Sequence, residues 1–240
     1  MLHLGCFCLP SQGKERAGSV RPAARRRRPC DAPRVIDRYD LADGGSVVLH
    51  DDWLDPEEAA LLFRSLRDDV PWRQDRVRIH GREFLQPRLS AWYGDPGTVY
   101  TYSGLTLSPE PWPALLSSLR GRVEVDAGAG FNSVLCNLYR DGKDSMGFHA
   151  DDEPELGSNP VIASVSLGAT RRFSLRHVKR AGDKLDLELP GGSLLVMAGT
   201  TQHFWRHAVP KRPSVLASRI NLTFRRIDPQ KPAPAKEYAS

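Results

Sequence analysis

Cysteine is scarce in this chain and poorly placed for a structural role. The four are Cys6, Cys8, Cys30 and Cys136, three of them within the first 30 residues. That distribution excludes a disulfide framework, and no C-x-x-C pair is present to start a zinc site. A reducing compartment fits such usage best. Long apolar runs are missing too: none reaches the ~18 residues of a membrane span, so no membrane partner is expected. No segment repeats at a fixed period, which excludes solenoids and propellers. Even the excess of positive charge is local. The formal net charge is +5, but residues 1–30 hold Lys14, Arg16, Arg21 and Arg25 to Arg28 against Glu15 alone, a balance of +6 that leaves −1 for all the rest. Bulk charge therefore gives no argument for nucleic acid; only local patches can supply one.

What remains is an ordinary globular composition, 40% hydrophobic and 26% charged, in a length that suits one domain with tails. Residues 1–33 are rich in Arg, Pro, Gly and Ala, which disfavours a packed core. Met1 to Leu9 lacks a basic flank and makes a poor secretory signal. A disordered basic extension, a start codon placed too early and an organellar transit peptide all remain open for it. Residues 229–240 read as a second loose tail. Between the tails, Gly45 to His50 reads as a strand. Asp55-Pro56-Glu57-Glu58 reads as a helix start, with Leu62, Phe63 and Leu66 as its apolar stripe to about Val70. Trp72 to Ile79 and Phe84 to Tyr93 read as a strand pair around His80-Gly81, and Trp112-Pro113 opens a second helix to about Arg120. After these come seven short, turn-bounded apolar runs, beginning at Phe131, Val161, Arg172, Leu185, Ser193, Phe204 and Arg219. Many short strands with Gly and Pro between them predict a sandwich or barrel. The expected class is α+β, mainly β: an α/β lead-in over 34–129 packed on a double-sheet jelly-roll core over 130–228.

Three groups of residues carry chemistry. His149-Ala150-Asp151 is followed 56 residues later by His207. Two imidazoles and a carboxylate are the set that leaves half of an octahedral Fe(II) site open. Read as strand positions i and i+2, His149 and Asp151 face one side and can reach one metal. In Arg219 to Arg225 the alternation is strict: Arg219, Asn221, Thr223 and Arg225 share one face, and Ile220, Leu222 and Phe224 share the other. The polar row is either a solvated face or a grip for a small dicarboxylate between two arginines. Asn137 and Tyr139 share a face of the strand before the H-x-D and can both donate to carboxylate oxygens. An edge-strand Asn and a half-buried Tyr is the plainer alternative.

Together these residues resemble the AlkB family of Fe(II)- and 2-oxoglutarate-dependent dioxygenases, over about residues 72–227. The runs Phe131 to Tyr139, His149-x-Asp151-Asp152-Glu153, Ile162 to Ala169 and Arg219 to Arg225 stand in the family's order. Pro87-Arg88 and Tyr100-Thr101-Tyr102-Ser103-Gly104 point to the nucleic-acid repair branch. The resemblance implies Fe(II) on His149, Asp151 and His207, with 2-oxoglutarate and O₂ as cosubstrates. It implies 2-oxoglutarate on Asn137, Tyr139, Arg219 and Arg225, with Arg225 and Tyr139 on the distal carboxylate and Asn221 and Thr223 in support. Tyr102 and His149 would sandwich an extruded base. Asp152 would contact its exocyclic nitrogen, Glu153 would assist, Tyr100 would wall the pocket and Arg88 would border the groove.

The implied activity is oxidative removal of N-alkyl groups from bases such as 1-methyladenine and 3-methylcytosine in DNA or RNA. Where duplex-repairing relatives carry an apolar wedge, this chain has Ile79-His80-Gly81. His80 is either a weak wedge or an ordinary turn residue, so single strands are the expected substrate, with duplex DNA second. Arg171, Arg172, Arg176, Lys179 and Arg180, with His177 among them, form a run without acids. It suits phosphate tracking or is a solvated loop. An oxygenase of the same fold acting on a protein or small molecule is the alternative function. A non-catalytic binding module would need a degenerate iron site, and no ligand is missing. The expected setting is a monomer inside the cell: cytoplasmic if bacterial, nuclear or organellar otherwise.

Overall fold

Fifteen strands and three α-helices make up a computed structural model that describes residues 36–228, apart from positions 80, 81, 99, 103, 104 and 108. Side chains at 78–82 and 99–108 lie outside the description as well. The expectations for residues 1–33 and 229–240, for His80 and for the side chains of Tyr100 and Tyr102 therefore fall outside the described residues. In chain order the elements are β1 (Ile36–Asp40), β2 (Gly45–His50), α1 (Pro56–Asp69), β3 (Arg76–Ile79), β4 (Arg82–Leu85), β5 (Leu89–Gly94), β6 (Tyr100–Tyr102) and β7 (Leu105–Leu107). Then follow α2 (Ala114–Ala127), β8 (Ser133–Tyr139), β9 (Met146–His149), β10 (Ile162–Gly168), β11 (Arg171–His177), β12 (Lys184–Leu189), β13 (Leu194–Gly199), α3 (Thr201–Phe204), β14 (Trp205–Val209) and β15 (Arg219–Arg225).

Two antiparallel sheets face each other. The large one has the order β1-β2-β13-β10-β15-β8-β5 and the small one β12-β11-β14-β9. This is the expected jelly-roll core, with one difference at its edge. The lead-in is not a separate layer: β2 pairs with β13 and β5 with β8, so both ends of the large sheet come from residues before 130. The run expected as one strand from Phe84 to Tyr93 splits into β4 and β5 at Gln86-Pro87-Arg88. Pro87 has no N–H to continue a ladder, and its carbonyl instead accepts from Ser145 N–H.

Side-chain alternation sorts the core into two layers. Val134, Cys136 and Leu138 of β8, Val165 and Leu167 of β10, and Ile220, Leu222 and Phe224 of β15 pack under the helices. There they meet Leu62 and Leu66 of α1 and Leu116, Leu119 and Val123 of α2. The α1 start is as expected, since the Asp55 carboxylate accepts from Glu57 N–H at 2.8 Å. Helix α2 runs past Arg120 to a left-handed Gly128 (φ 64°), a stop signal that only glycine takes without strain. The second layer lies between the sheets. Leu49, Ile162, Leu195 and Met197 from the large sheet meet Phe173, Leu175, Leu189 and Trp205 from the small one. Because the helices cover the other face, the alternate residues of β8, β10 and β15 point into this inter-sheet space.

The basic run on β11 is not the bare patch its sequence suggests. Strand pairing brings acids to it that lie elsewhere in the chain. Glu188 stands opposite Arg172 and pairs with it at 3.4 Å; Asp186 pairs with Arg176 at 2.9 Å. Asp43 holds His177 Nε2 at 2.7 Å and Arg180 at 2.8 Å. Arg171 is 1% exposed and donates to the carbonyls of Asp141, Asp144 and Pro210. It is a clamp on two loops, not a phosphate contact. Replacing it with methionine is expected to lower stability by about 2–4 kcal/mol, since three carbonyls lose a charged donor. Urea unfolding checks this. A variant of unchanged stability with a shallower salt dependence of oligonucleotide binding would return Arg171 to the surface cluster.

Candidate active site

Strands β9 and β14 pair so that His149 and His207 stand directly opposite, with ring centroids 4.2 Å apart. Asp151 lies two residues past His149, beyond the end of β9, so the expected strand geometry does not place it. Its backbone N–H donates to Gln202 Oε1 at 2.9 Å, and Arg225 Nη2 donates to its Oδ1 at 2.8 Å. One ligand atom from each of His149, Asp151 and His207 lies within 4.8 Å of the others. The site is built for a cation. Asp151 Oδ2 is buried with no hydrogen-bond partner, and a lone buried carboxylate oxygen is costly. His149 Nδ1 stands 2.9 Å from the Gly147 carbonyl, which can only accept. The proton is therefore on Nδ1, and Nε2 offers its lone pair. Phe173 stacks on the His207 ring at 5.3 Å and fixes its plane.

The electrostatics suit metal binding. Burial pushes the His207 imidazole down to about 3, with His149 adding to the effect. His149 is also shifted down, again chiefly by burial. Both rings are neutral at neutral pH, as ligands must be. Burial pushes the Asp151 carboxyl up, but the Arg225 guanidinium and the two imidazoles outweigh it and hold the group at about 2. These shifts fix a pH dependence for the metal-free protein. Between the ordinary 6.5 and about 3, the unfolded His207 binds a proton that the folded one refuses. Stability is fully present above pH 6.5 and falls as pH drops; Asp151 adds a loss between 3.8 and about 2. Urea midpoints of the metal-free protein are expected to decline between pH 6.5 and 4.5, and a His207→Gln variant to decline less. Equal slopes for both proteins would contradict this.

A cavity between the sheets connects these ligands to a polar row on β8 and β15, lined by Asn137, Tyr139, Asn221, Thr223 and Arg225. The solvated-face alternative for β15 fails, because Arg219, Asn221, Thr223 and Arg225 are all buried. Arg219 Nη2 donates to Ser166 Oγ at 2.8 Å and to Asn221 Oδ1 at 2.6 Å. Asn221 in turn accepts from Ser164 at 2.9 Å and donates to Thr223 Oγ1 at 2.7 Å. Among the described residues Arg219 Nε and Nη1 have no hydrogen-bond partner within ordinary distance, and Tyr139 is the polar side chain that interacts with the guanidinium. Burial lowers this guanidinium to about 10, so it stays charged at neutral pH. A fully buried cation with two open donors and only neutral hydrogen-bond partners is a seat for an anion.

The chain matches the family model described as the 2OG-Fe(II) oxygenase superfamily over residues 46–225. It is 44% identical over 213 residues to human "Alpha-ketoglutarate-dependent dioxygenase alkB homolog 3", covering 82% of this chain and 74% of that protein. The chain belongs to the AlkB family of this superfamily. It is also 45% identical over 184 residues to mouse "DNA oxidative demethylase ALKBH2", covering 72% of this chain and 77% of that protein. Among solved structures, OsALKBH1 superposes with a TM-score of 0.54 at 18% identity, over 75% of this chain and 97% of that one, which supports the jelly-roll fold.

As an AlkB-family oxygenase the chain uses Fe(II), 2-oxoglutarate and O₂, and the orphaned donors match the first two. The two ends of the β15 row then have different tasks. Arg219 stands opposite Tyr139 in the β15–β8 register, 5.4 Å from its ring, whereas Arg225 stands opposite Ser133 and bonds Asp151. Six strand residues, about 20 Å, separate the two arginines. The register thus sets Tyr139 beside Arg219 and leaves Arg225 at the far end of the row, whereas the resemblance had paired Tyr139 with Arg225. Arg88 also differs from expectation. It lies buried in the turn before β5 and donates to Asn137 Oδ1 at 2.8 Å, facing the site and not an outer groove. Asp152 is exposed beside the metal ligands, and Glu153 is half-buried. Sequence reading missed Ser164, Ser166 and Gln202. The period-2 pattern of β10 contained the first two, since Ser164 and Ser166 alternate with Ala163, Val165 and Leu167. Cys136 faces the helices, and burial raises its thiol well above the ordinary range, so it is no nucleophile.

Proposed function

We propose that this enzyme oxidatively demethylates N-alkylated bases, of the 1-methyladenine and 3-methylcytosine type, in DNA or RNA. The observation that carries the reading is a buried carboxylate oxygen among two neutral imidazoles, in a cavity lined also by Tyr139 and Asn221, with the buried guanidinium of Arg219 held on Asn221. Iron held by His149, Asp151 and His207 supplies the coupling of O₂ to 2-oxoglutarate: one oxygen atom enters succinate as CO₂ leaves, and the other enters the N-methyl group, whose hydroxymethyl product loses formaldehyde. The remaining work belongs to the chain. Arg219 and Tyr139 hold the distal carboxylate, with Asn221, Ser166 and Thr223 fixing Arg219. Arg225 stands at the opposite, metal end, where it orients Asp151. Asn137, held by Arg88, lines the space between.

His149 and Tyr102 flank the extruded base, and Tyr100 lines its pocket. A base methylated at its pairing nitrogen is cationic. The exposed carboxylate of Asp152 next to the metal ligands, with half-buried Glu153 behind it in sequence, favours it over a neutral base, and its weak pairing lowers the cost of extrusion. His80, in the Ile79-His80-Gly81 segment where duplex-repairing relatives carry an apolar wedge, favours single strands over duplex. The metal ligands and cosubstrate donors all come from one chain, which suits a monomer. Among the described residues no helix is long and apolar enough to cross a membrane, and we place the enzyme inside the cell. Residues 34–228 form its catalytic domain, with 1–33 and 229–240 as flanking tails. Time-resolved mass spectrometry of matched single- and double-stranded methylated oligonucleotides, with Fe(II), ascorbate and 2-oxoglutarate, tests the reading. Loss of the methyl group with equimolar formaldehyde is expected, faster on single strands. Succinate formation without demethylation would direct the search to a protein or small-molecule substrate.

A further inference from the structure

The outer face of the small sheet carries a feature the reaction does not use. Phe148 precedes His149 on the edge strand β9, so its side chain points away from the metal ligands. It is 51% exposed. Phe148 lies where the β9–β14 register shifts between His207 and Val209, beside the small buried residue Ala208, which pairs with Ser174 on β11. Arg176 reaches over that ring, with its Cζ 5.9 Å from the centroid, while Asp186 grips its other side at 2.9 and 3.0 Å. One row along, Arg206, Arg176 and Lys184 are direct cross-strand neighbours on β14, β11 and β12. Like charges opposite one another destabilise a sheet. Asp186 offsets only Arg176. Arg206 and Lys184 are exposed and have no acidic partner among the described residues. The three cations span about 10 Å at the usual strand spacing, beside an aromatic ring with an open face.

We infer that this face carries the polynucleotide strand next to the reacting base: Phe148 stacks an unpaired base, and Arg206, Arg176 and Lys184 hold the adjoining phosphates. The inference rests on the nucleic-acid reading of the site and extends it to a second surface. Aromatic stacking with backbone cations is how single strands are held without sequence preference. The two elements are tied together, because Arg176 touches both the ring and the cation row. The ring is also one residue from a metal ligand, so a strand with one base in the active site reaches Phe148 within a few nucleotides.

Fluorescence anisotropy with a labelled 15-nucleotide single strand, carrying one 3-methylcytosine, tests this at several salt concentrations. Phe148→Ala is expected to weaken binding about 10-fold, and Phe148→Trp to retain it. The double variant Arg206→Ala/Lys184→Ala is expected to flatten the slope of log affinity against log salt by about 1.4, near 0.7 per phosphate contact on single strands. The rise in melting temperature caused by Mn(II) with 2-oxoglutarate confirms that each variant is folded. Variants that bind like the wild type, at all salts, overturn the inference. So does an affinity lost equally in Phe148→Trp and Phe148→Ala, which would make the residue a packing element. A wild type that binds the strand through Phe148 but releases no formaldehyde would sink the demethylase reading and leave this surface standing. A wild type that binds an acidic peptide but no oligonucleotide would overturn both.

Discussion

Replacing Asp151 with alanine is expected to reduce turnover by far more than 100-fold, because changes to groups that merely support a metal ligand already cost 10- to 100-fold. The residue has two partners to lose. It is the one carboxylate of the cluster among the described residues, and its Oδ1 accepts from buried Arg225 at 2.8 Å. Removing one partner of a buried ion pair costs about 3–5 kcal/mol, so the alanine variant is also less stable. Asp151→Asn separates the two effects in part: its amide oxygen can still accept from Arg225, although the ion pair's negative charge is lost. It keeps the shape and the Arg225 neighbour but lowers the ligand charge. Succinate and formaldehyde should both fall to background in Asp151→Asn while the far-UV spectrum stays native. Turnover within tenfold of wild type in Asp151→Asn would remove Asp151 from the metal site.

Arg219→Met is expected to raise the KM for 2-oxoglutarate by about 100-fold or more. Two donors, Nε and Nη1, have no hydrogen-bond partner among the described residues, and a charged hydrogen bond contributes about 1.5–3 kcal/mol. Lysine should not rescue, since it lacks the paired planar donors. Stability gives a separate signature. Without cosubstrate, the wild type keeps a fully buried charge that only neutral groups satisfy. Methionine removes that burden, so the variant should be at least as stable alone. Adding 2-oxoglutarate with Mn(II) should raise the melting temperature of the wild type and barely move the variant. A variant with wild-type KM, or one unfolded without cosubstrate, would give Arg219 a structural role instead.

The charges explain why metal and diacid belong together. Arg225 cancels Asp151, so buried Arg219 and Arg88 leave the site net positive before a divalent cation enters. A dianion then relieves both. Metal binding should therefore strengthen 2-oxoglutarate binding, and the reverse by linkage.

Alternation made much of this legible from the residues alone. The apolar half of β15, Ile220-x-Leu222-x-Phe224, marks a strand with one buried face. Periodicity could not say that the polar half is buried as well. That depends on β15 lying inside a seven-stranded sheet, between β10 and β8, with α1 and α2 over its apolar face. The H-x-D spacing picked out residues that the fold does bring together with His207, for an incomplete reason. His149 is strand-placed, but Asp151 is set by Gln202 from α3 and Arg225 from β15, contacts made across 51 and 74 residues. The basic run on β11 misled for the same reason. Its acids sit on β12 and in the turn at Asp43, and only the sheet register brings them near. Opposite ends of β15 looked equivalent as arginines. Pairing with Tyr139 at one end and Asp151 at the other makes them different.

Anomalous diffraction from crystals grown with Mn(II) and 2-oxoglutarate tests the central claim most directly. The account predicts one manganese peak bonded to His149, Asp151 and His207, with the diacid's far carboxylate on Arg219 and Tyr139. A peak on other residues, or a diacid reversed so that Arg219 faces no carboxylate, would contradict it.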